Sequence, residues 1–212
     1  MMKVTQGQID DASRAALASG RAEPALALFI DSLMEMKGLS LAEGCTVAGG
    51  MLELETPVEM SADAFDRVMV LIEKGGPEKR APEYSELIRL PAALADAISA
   101  AENRAGWTTS MGGVRKLKLD VGGDARAEII RIDPGVAIPW HTHKGQELTL
   151  CLVGGYSDGR GSYGPGDVTL ADPAVRHQPK ADDDGPCFVL AVTDAGLKFE
   201  GVMGVIQKLT GG

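Results

Sequence analysis

The stretch PWHTHKGQE, residues 139–147, places two histidines two positions apart and a glutamate four positions further on. His177 is the one other histidine of the chain. If the stretch is extended, the side chains of His141 and His143 point to the same face of a strand. Extended geometry would carry Glu147 about 13 Å from His143. The residues between them must therefore bend for the carboxylate to come close.

Three imidazoles and one carboxylate form a ligand set for a divalent metal. Neutral imidazole nitrogens together with a carboxylate oxygen suit zinc, iron, manganese or nickel. His177 follows a predicted strand and could reach the site from a neighbouring strand. The alternative is that His141 and His143 are surface residues of a loop, because a pair of histidines with this spacing often occurs by chance. The predicted metal ligands are His141, His143, Glu147 and His177.

Around this stretch apolar and polar residues alternate with a period of two, which is typical of strands. The segments with this pattern are VRKLKLDV (114–121), ARAEIIRI (125–132), ELTLCLV (147–153), DVTLA (167–171), CFVLAV (187–192) and FEGVMGVI (199–206). Many short strands with glycine-rich turns predict a sandwich or a barrel. The histidine pair would face its inside. Trp107 and Trp140 are expected to pack in the core.

The first 75 residues have the period of helices instead. A helix is predicted from Glu23 to Gly38, because apolar residues recur in steps of three and four between these ends. A second is predicted to begin at Ser61, a good N-cap, and to end at Gly75. Other helices are expected near 8–18, after Ser40 and near 92–101. Helices this short bury their apolar faces by packing together, which predicts a bundle.

Composition limits the classes of partner. The chain has 30 acidic and 21 basic residues and a net charge of −9, so bulk charge favours neither nucleic acid nor an anionic membrane. Its three cysteines, Cys45, Cys151 and Cys187, form no disulfide framework, and no apolar signal segment opens the sequence. We therefore expect a cytoplasmic protein. Cys151 is expected to be a buried thiol, and Cys187 a redox sensor only if exposed and of lowered pKa.

The spacing around the histidines resembles a known family. The first cupin motif matches position for position at Gly135, His141, His143, Glu147 and Gly154, and the second at Gly166, Asp167 and His177. In the second motif the usual proline and glycine before the last histidine are replaced by Asp172 and Ala174.

The resemblance extends to the ChrR-type anti-sigma factors. GVRKLKLD, ARAEIIRIDPGVAIPWHTH and GGYSDGRGSYGPGDV resemble their cupin, and ALALFIDSLMEMK and MSADAFDRVMVLIEK resemble their helical domain. This resemblance implies an α+β protein with a helical anti-sigma domain at 1–75, a linker at 76–90 and an all-β cupin barrel at 91–212. It also implies an extracytoplasmic-function (ECF) sigma factor as partner and one metal in the cupin. We favour zinc, with iron, manganese or nickel open, in a sensor of an oxidant or small molecule.

One departure concerns the helical domain. The family has a zinc motif, His-x3-Cys-x2-Cys, at positions that align here with Ile30, Met34 and Lys37. None of these side chains can serve as the expected ligand, and no zinc is expected in this domain. Either the bundle binds sigma without metal, stabilised by apolar packing at Ile30 and Met34, or sigma binding has been lost.

Two other functions stay open on the sequence. The same four ligands could hold iron or nickel in a dioxygenase-like enzyme, with Tyr156 and Tyr163 as weak candidates for a general acid or base. The chain could also be a ligand-binding cupin whose helical part forms a homodimer.

Overall fold

The computed structural model describes residues 23–38, 61, 63–73, 84–194 and 197–199. Within these ranges three α-helices and one 3-10 helix, Ser85–Arg89, precede eleven strands. The helices are α1 (Pro24–Met36), α2 (Ala64–Glu73) and α3 (Ala92–Arg104). The strands are β1 (Thr108–Met111), β2 (Val114–Leu119), β3 (Arg126–Ile132), β4 (His141–His143), β5 (Glu147–Val153), β6 (Tyr156–Ser157), β7 (Ser162–Tyr163), β8 (Val168–Ala171), β9 (Lys180–Ala181), β10 (Cys187–Thr193) and β11 (Leu197–Phe199).

The ends of α1 agree with the sequence signals. The carboxylate of Glu23 accepts a hydrogen bond from the amide of Leu26 at 3.0 Å. Pro24 occupies the first helical position, where a missing N–H leaves no helical hydrogen bond unmade. The helix ends at Met36, two residues before the predicted Gly38. The prediction of an amphipathic helix here is therefore confirmed.

The other predicted helices have mixed outcomes. α2 begins three residues after Ser61, whose carbonyl accepts the Ala64 amide at 2.9 Å. α3 extends the helix expected near 92–101 to Arg104. The helices expected near 8–18 and after Ser40 lie outside the described residues. The structure thus establishes helices in the N-terminal part, and the predicted bundle and domain boundaries stay predictions.

The strands form three antiparallel sheets. β1-β2-β3-β10-β5-β8 is the order of the largest sheet, β7-β6-β9 form a second, and β11 pairs with β4. The predicted strands of the second half are present, apart from 199–206, of which only Phe199, in β11, is described. Gly154, which follows β5, has a φ of +72°, and a Cβ there would lie 2.4 Å from the carbonyl oxygen of Pro186. Only glycine fits this turn without strain.

Both faces of β10, a central strand of the largest sheet, are apolar. On β10, Phe188, Leu190 and Val192 belong to one buried cluster, which we call the helix-side cluster because it includes residues of α1 and α3. The alternate residues Cys187 and Val189 belong to a second one, the cavity-side cluster, together with Val114 of β2, Tyr156 and Tyr163. Successive side chains of β10 therefore point alternately toward the helices and toward the cavity-side cluster.

α1 packs directly on the β domain. Leu28, Phe29, Ile30 and Leu33 are buried in the helix-side cluster beside residues of β2, β3 and β10. Ile30, which aligns with the first position of the zinc motif that the resemblance led us to look for, is only 6% exposed. The Ile30 side chain therefore packs in the apolar core, and the residues around it include those of the sheet.

Polar contacts attach both ends of α1 to the same domain. Glu23 also accepts a hydrogen bond from the amide of Ala125 at 3.2 Å, and Glu35 accepts one from Ala92, the first residue of α3, at 3.3 Å. No helix in the described ranges is long and apolar enough to cross a membrane.

Candidate metal centre

The structure brings the three histidines together. His141 and His143 lie on β4, and the backbone of His177 pairs with that of His141 through two hydrogen bonds of 3.1 Å. One ring nitrogen from each histidine lies within 4.8 Å of the other two. The three residues are 3–4% exposed. They form a buried group, which we call the histidine cluster, that could hold a metal ion.

The spacing of the ring nitrogens fits a metal. Nε2 of His143 lies 2.9 Å from Nε2 of His177. Two nitrogens bound to one ion at about 2.0–2.1 Å are separated by roughly 2.9 Å at a right angle and roughly 3.4 Å at a tetrahedral angle. Nδ1 of both residues is buried and finds no hydrogen-bond partner in the described part of the chain. A metal on Nε2 would place the ring proton on Nδ1.

The histidines are uncharged near neutral pH. Burial, aided by the neighbouring histidines and Arg160, lowers the pKa of His143 to about 4 and that of His177 to about 3. Burial also lowers the pKa of His141, whose Nδ1 lies 2.8 Å from the carbonyl oxygen of Pro139. Neutral rings have the free lone pair that metal binding requires.

Glu147, the predicted fourth ligand, lies at the edge of the histidine cluster. Its Oε2 is 3.8 Å from Nδ1 of His143, and its side chain is 12% exposed. Burial raises the pKa of Glu147 to about 7, although the charge of Lys116 and a hydrogen bond from Thr149 oppose this. A carboxylate in this place needs a cation to remain ionised at low cost. Its role as a ligand stays a prediction.

A small cavity of about 50 Å³ lies beside the cluster, between the sheets. Its polar lining includes His141, His177, Glu147 and Lys116, and the rest is mainly aliphatic. Lys116 forms an ion pair with Glu128 at 3.3 Å. One water molecule needs roughly 10–15 Å³ of such cavity volume. The cavity therefore has room for a few waters or for one small molecule.

The tyrosines and cysteines considered from the sequence are buried. Burial raises the pKa of Tyr156 far above its usual range and also raises that of Tyr163, so neither is a base near neutral pH. Cys151 is fully buried, as expected. A hydrogen bond of the Cys187 thiol with Cys151, together with burial, raises the pKa of Cys187, which is also buried. Cys187 therefore lacks the exposure and the lowered pKa that a reactive thiol needs.

Two residues differ from the sequence interpretation. Trp140 was expected in the core but is 39% exposed, and the Arg176 guanidinium lies 4.3 Å from its ring centroid. Asp158 lies in a glycine-rich turn and is not among the residues predicted for the site. Its side chain is buried and its Oδ2 lies 3.5 Å from Nδ1 of His177. No clear signal in the sequence indicated this placement, because turn aspartates are usually exposed.

The antiparallel sheets and the buried histidine cluster define a cupin-like protein. A model of the ChrR cupin-like domain matches residues 96–195. The anti-sigma-E factor ChrR of Cereibacter sphaeroides is 34% identical over 199 residues, which covers 90% of this chain and 91% of that protein. The chain belongs to the ChrR family of anti-sigma factors.

The similarity includes a solved structure. The crystal structure of Rhodobacter sphaeroides SigE in complex with the anti-sigma ChrR contains a chain that matches with a TM-score of 0.56 and 31% identity. The match covers 87% of this chain and 97% of that one. It therefore includes residues N-terminal to the cupin-like domain.

Proposed function

We propose that this protein binds an ECF sigma factor through its N-terminal helical part and releases it when the cupin domain meets an oxidant or a small molecule. The observation that carries the proposal is the extent of the similarity to ChrR, which covers 90% of the chain and so both halves. A partner of this kind acts with RNA polymerase, which would place the protein in the cytoplasm.

The proposed metal centre uses His141, His143, His177 and Glu147 as ligands of one divalent ion. Zinc is favoured over iron, manganese and nickel, because four protein ligands complete the tetrahedral shell of a structural zinc site. When bound, the ion would supply positive charge that draws these side chains together. The buried neutral rings of the three histidines and the costly carboxylate of Glu147 support this assignment.

The proposed sigma-binding part is a helical anti-sigma domain at 1–75, joined by a linker at 76–90 to the cupin at 91–212. It would work without zinc, since packing on the sheet holds α1. α2 supports a partner surface: Phe65 is 70% exposed, Val70 44% and Met69 38%. Exposed apolar side chains grouped on one helix commonly mark an interaction site.

A signal must favour the released state in free energy in order to act. β10 offers a physical connection, because Val189 lines the cavity while Phe188 and Leu190 belong to the helix-side cluster. Loss or oxidation of a ligand would disturb the packing of the cavity-side face of this strand. The same strand supports α1 on its other face.

Recovery of a sigma factor from native cells tests the proposal. The full chain, tagged and expressed in its own host, is used as bait, and captured proteins are identified by mass spectrometry. We expect an ECF sigma factor, which should then be inhibited by the purified chain in transcription with core RNA polymerase. A folded bait that captures no sigma factor, or one that leaves transcription unchanged, would contradict the proposal.

A further inference from the structure

The turn between β6 and β7 carries a buried carboxylate. Asp158 is 2% exposed although it lies in a tight reversal of the chain. Gly159, with φ of +82°, allows the reversal, and the amide of Asp158 donates to the carbonyl of Gly161 at 3.2 Å. Burying a charged side chain is costly unless it is paired and hydrogen-bonded. Its partners therefore indicate its role.

Oδ1 of Asp158 belongs to the turn itself. It accepts hydrogen bonds from the amides of Arg160 and Gly161, at 2.9 and 3.2 Å, and from the hydroxyl of Tyr163 at 3.3 Å. These bonds fix the position of the carboxylate. The second carboxylate oxygen, Oδ2, takes no part in these bonds and is free to make other contacts.

Oδ2 of Asp158 lies between a cation and a histidine. Nε of Arg160 donates to it at 2.8 Å, while Nη1 of Arg160 donates to the carbonyl of Leu170 at 3.2 Å. The Arg160 guanidinium also forms an ion pair with this carboxylate, in which Nη2 lies 2.6 Å from Oδ2. The same Oδ2 lies 3.5 Å from Nδ1 of His177.

The two ring nitrogens of His177 have different surroundings. Nε2 is 2.9 Å from Nε2 of His143, inside the histidine cluster, and Nδ1 is buried beside Asp158. A metal on Nε2 requires the proton on Nδ1, where it needs an acceptor. His141 shows the same arrangement, since its Nδ1 lies 2.8 Å from the carbonyl oxygen of Pro139.

We propose that Asp158 is the positioning residue of the metal centre. It accepts the Nδ1–H of His177, which fixes the tautomer and the orientation of the ring so that Nε2 faces the ion. Arg160 holds the carboxylate in place. An approach of roughly half an ångström would bring the 3.5 Å separation to hydrogen-bond length. This role rests on the proposed metal centre and adds a residue outside the motifs.

Asp158→Asn tests the role in the full-length protein. Zn²⁺ affinity is measured by competition with a chelator at neutral pH. We expect D158N to weaken the affinity about 10- to 100-fold, the usual effect of losing a carboxylate behind a histidine ligand. Asp120→Asn is the matched control, because it makes the same chemical change in an exposed carboxylate that pairs with Arg104 and lies outside the histidine cluster. D120N should bind Zn²⁺ as tightly as wild type.

The outcomes separate this role from the metal centre itself. Wild type that binds Zn²⁺ while D158N binds it equally well overturns the role of Asp158 alone, and so does an equal loss in D158N and D120N. Wild type that binds no Zn²⁺, Fe²⁺, Mn²⁺ or Ni²⁺ overturns the metal centre and this role together.

A measurement on wild type covers the case in which D158N fails to fold. NMR of the ¹⁵N-labelled, Zn²⁺-loaded chain should show an Nδ1 proton on His177 that exchanges slowly with water, because the Asp158 carboxylate accepts it in a hydrogen bond. An Nδ1 proton that exchanges as fast as that of an exposed histidine would overturn the role of Asp158.

Discussion

Nε2 of His143 lies 2.9 Å from Nε2 of His177, although 34 positions separate the two residues in the chain. Both rings are buried, and burial lowers the pKa of each. Packing thus holds two uncharged imidazoles with their nitrogens adjacent. The arrangement favours an ion that both can bind, and it leads to the following expectations.

The first concerns metal content. Elemental analysis should give about one metal per chain in wild type and none in the His141→Ala, His143→Ala double variant. Zn²⁺ should raise the melting temperature of wild type, because an ion at 1,000 times its dissociation constant stabilises by about 4 kcal/mol. Glu128→Gln, which removes the ion-pair partner of Lys116, is the control and should retain the metal. Full retention by the double variant would exclude these histidines as ligands.

The second concerns the metal-free protein at acid pH. Unfolded histidines titrate near 6.5, whereas His143 and His177 titrate near 4 and 3 in the fold. The unfolded chain therefore binds more protons between these values, and stability falls as pH falls from about 6.5. Each such proton costs about 1.4 kcal/mol per pH unit. Urea unfolding at a series of pH values, with EDTA present to remove metal, measures this loss of stability. Exchanging all three histidines for glutamine should remove most of the slope.

Glu147 should act in the opposite direction. Burial raises its pKa from 4.5 to about 7, so its contribution to stability is present below about 4.5 and is lost as pH rises through 7. Metal-free Glu147→Gln should therefore exceed wild type in stability at pH 8 and lose this advantage at pH 5. The same variant should bind Zn²⁺ more weakly than wild type. Equal Zn²⁺ affinity would show that Glu147 is not a ligand.

The packing of α1 gives a prediction about stability. Phe29 is 2% exposed in the helix-side cluster, so Phe29→Ala should destabilise the protein by about 3–5 kcal/mol. Phe65→Ala makes the same chemical change on α2, where the side chain is 70% exposed, and should cost no more than about 0.5 kcal/mol. Denaturant unfolding of the two variants measures the difference. Similar values would contradict the docking of α1 on the sheet.

The same pair of variants separates stability from partner binding. If α2 contacts the sigma factor, Phe65→Ala should weaken binding about tenfold or more, the effect expected for an aromatic residue at the centre of an interface. Affinity for the purified sigma factor is measured by calorimetry with Phe65→Lys as a second, stronger change. Unchanged affinity in both variants would place the sigma-binding surface away from Phe65.

Local patterns in the sequence were enough for much of the fold. α1 and the main strands were predicted because amphipathic periods of 3.6 and 2 leave a direct trace in the order of residues. The motif spacing also indicated His141 and His143 on one strand, and the structure confirms β4 there. The bundle stays a prediction, since the helices expected near 8–18 and after Ser40 lie outside the described residues.

The positions of Trp140 and Asp158 were not predicted, because contacts with segments distant in the chain help to determine them. Trp140 follows an apolar run, but it lies at the surface with Arg176, which comes from the segment beside His177. Asp158 is buried because Arg160 pairs with it and His177 lies beside it. The periodicity of apolar residues along a sequence does not show whether the side chains of a turn point into the protein.

The sequence by itself determined the kind of domain and which side chains can donate to a metal, because strand period and ligand chemistry are properties of neighbouring residues. Only the tertiary structure decided that α1 packs on the sheet, that Glu147 stands apart from the three close nitrogens, and that Asp158 lies behind His177. Those facts depend on how strands far apart in the chain pair and pack. Burial, which shifts the pKa values of the site, arises only from that packing.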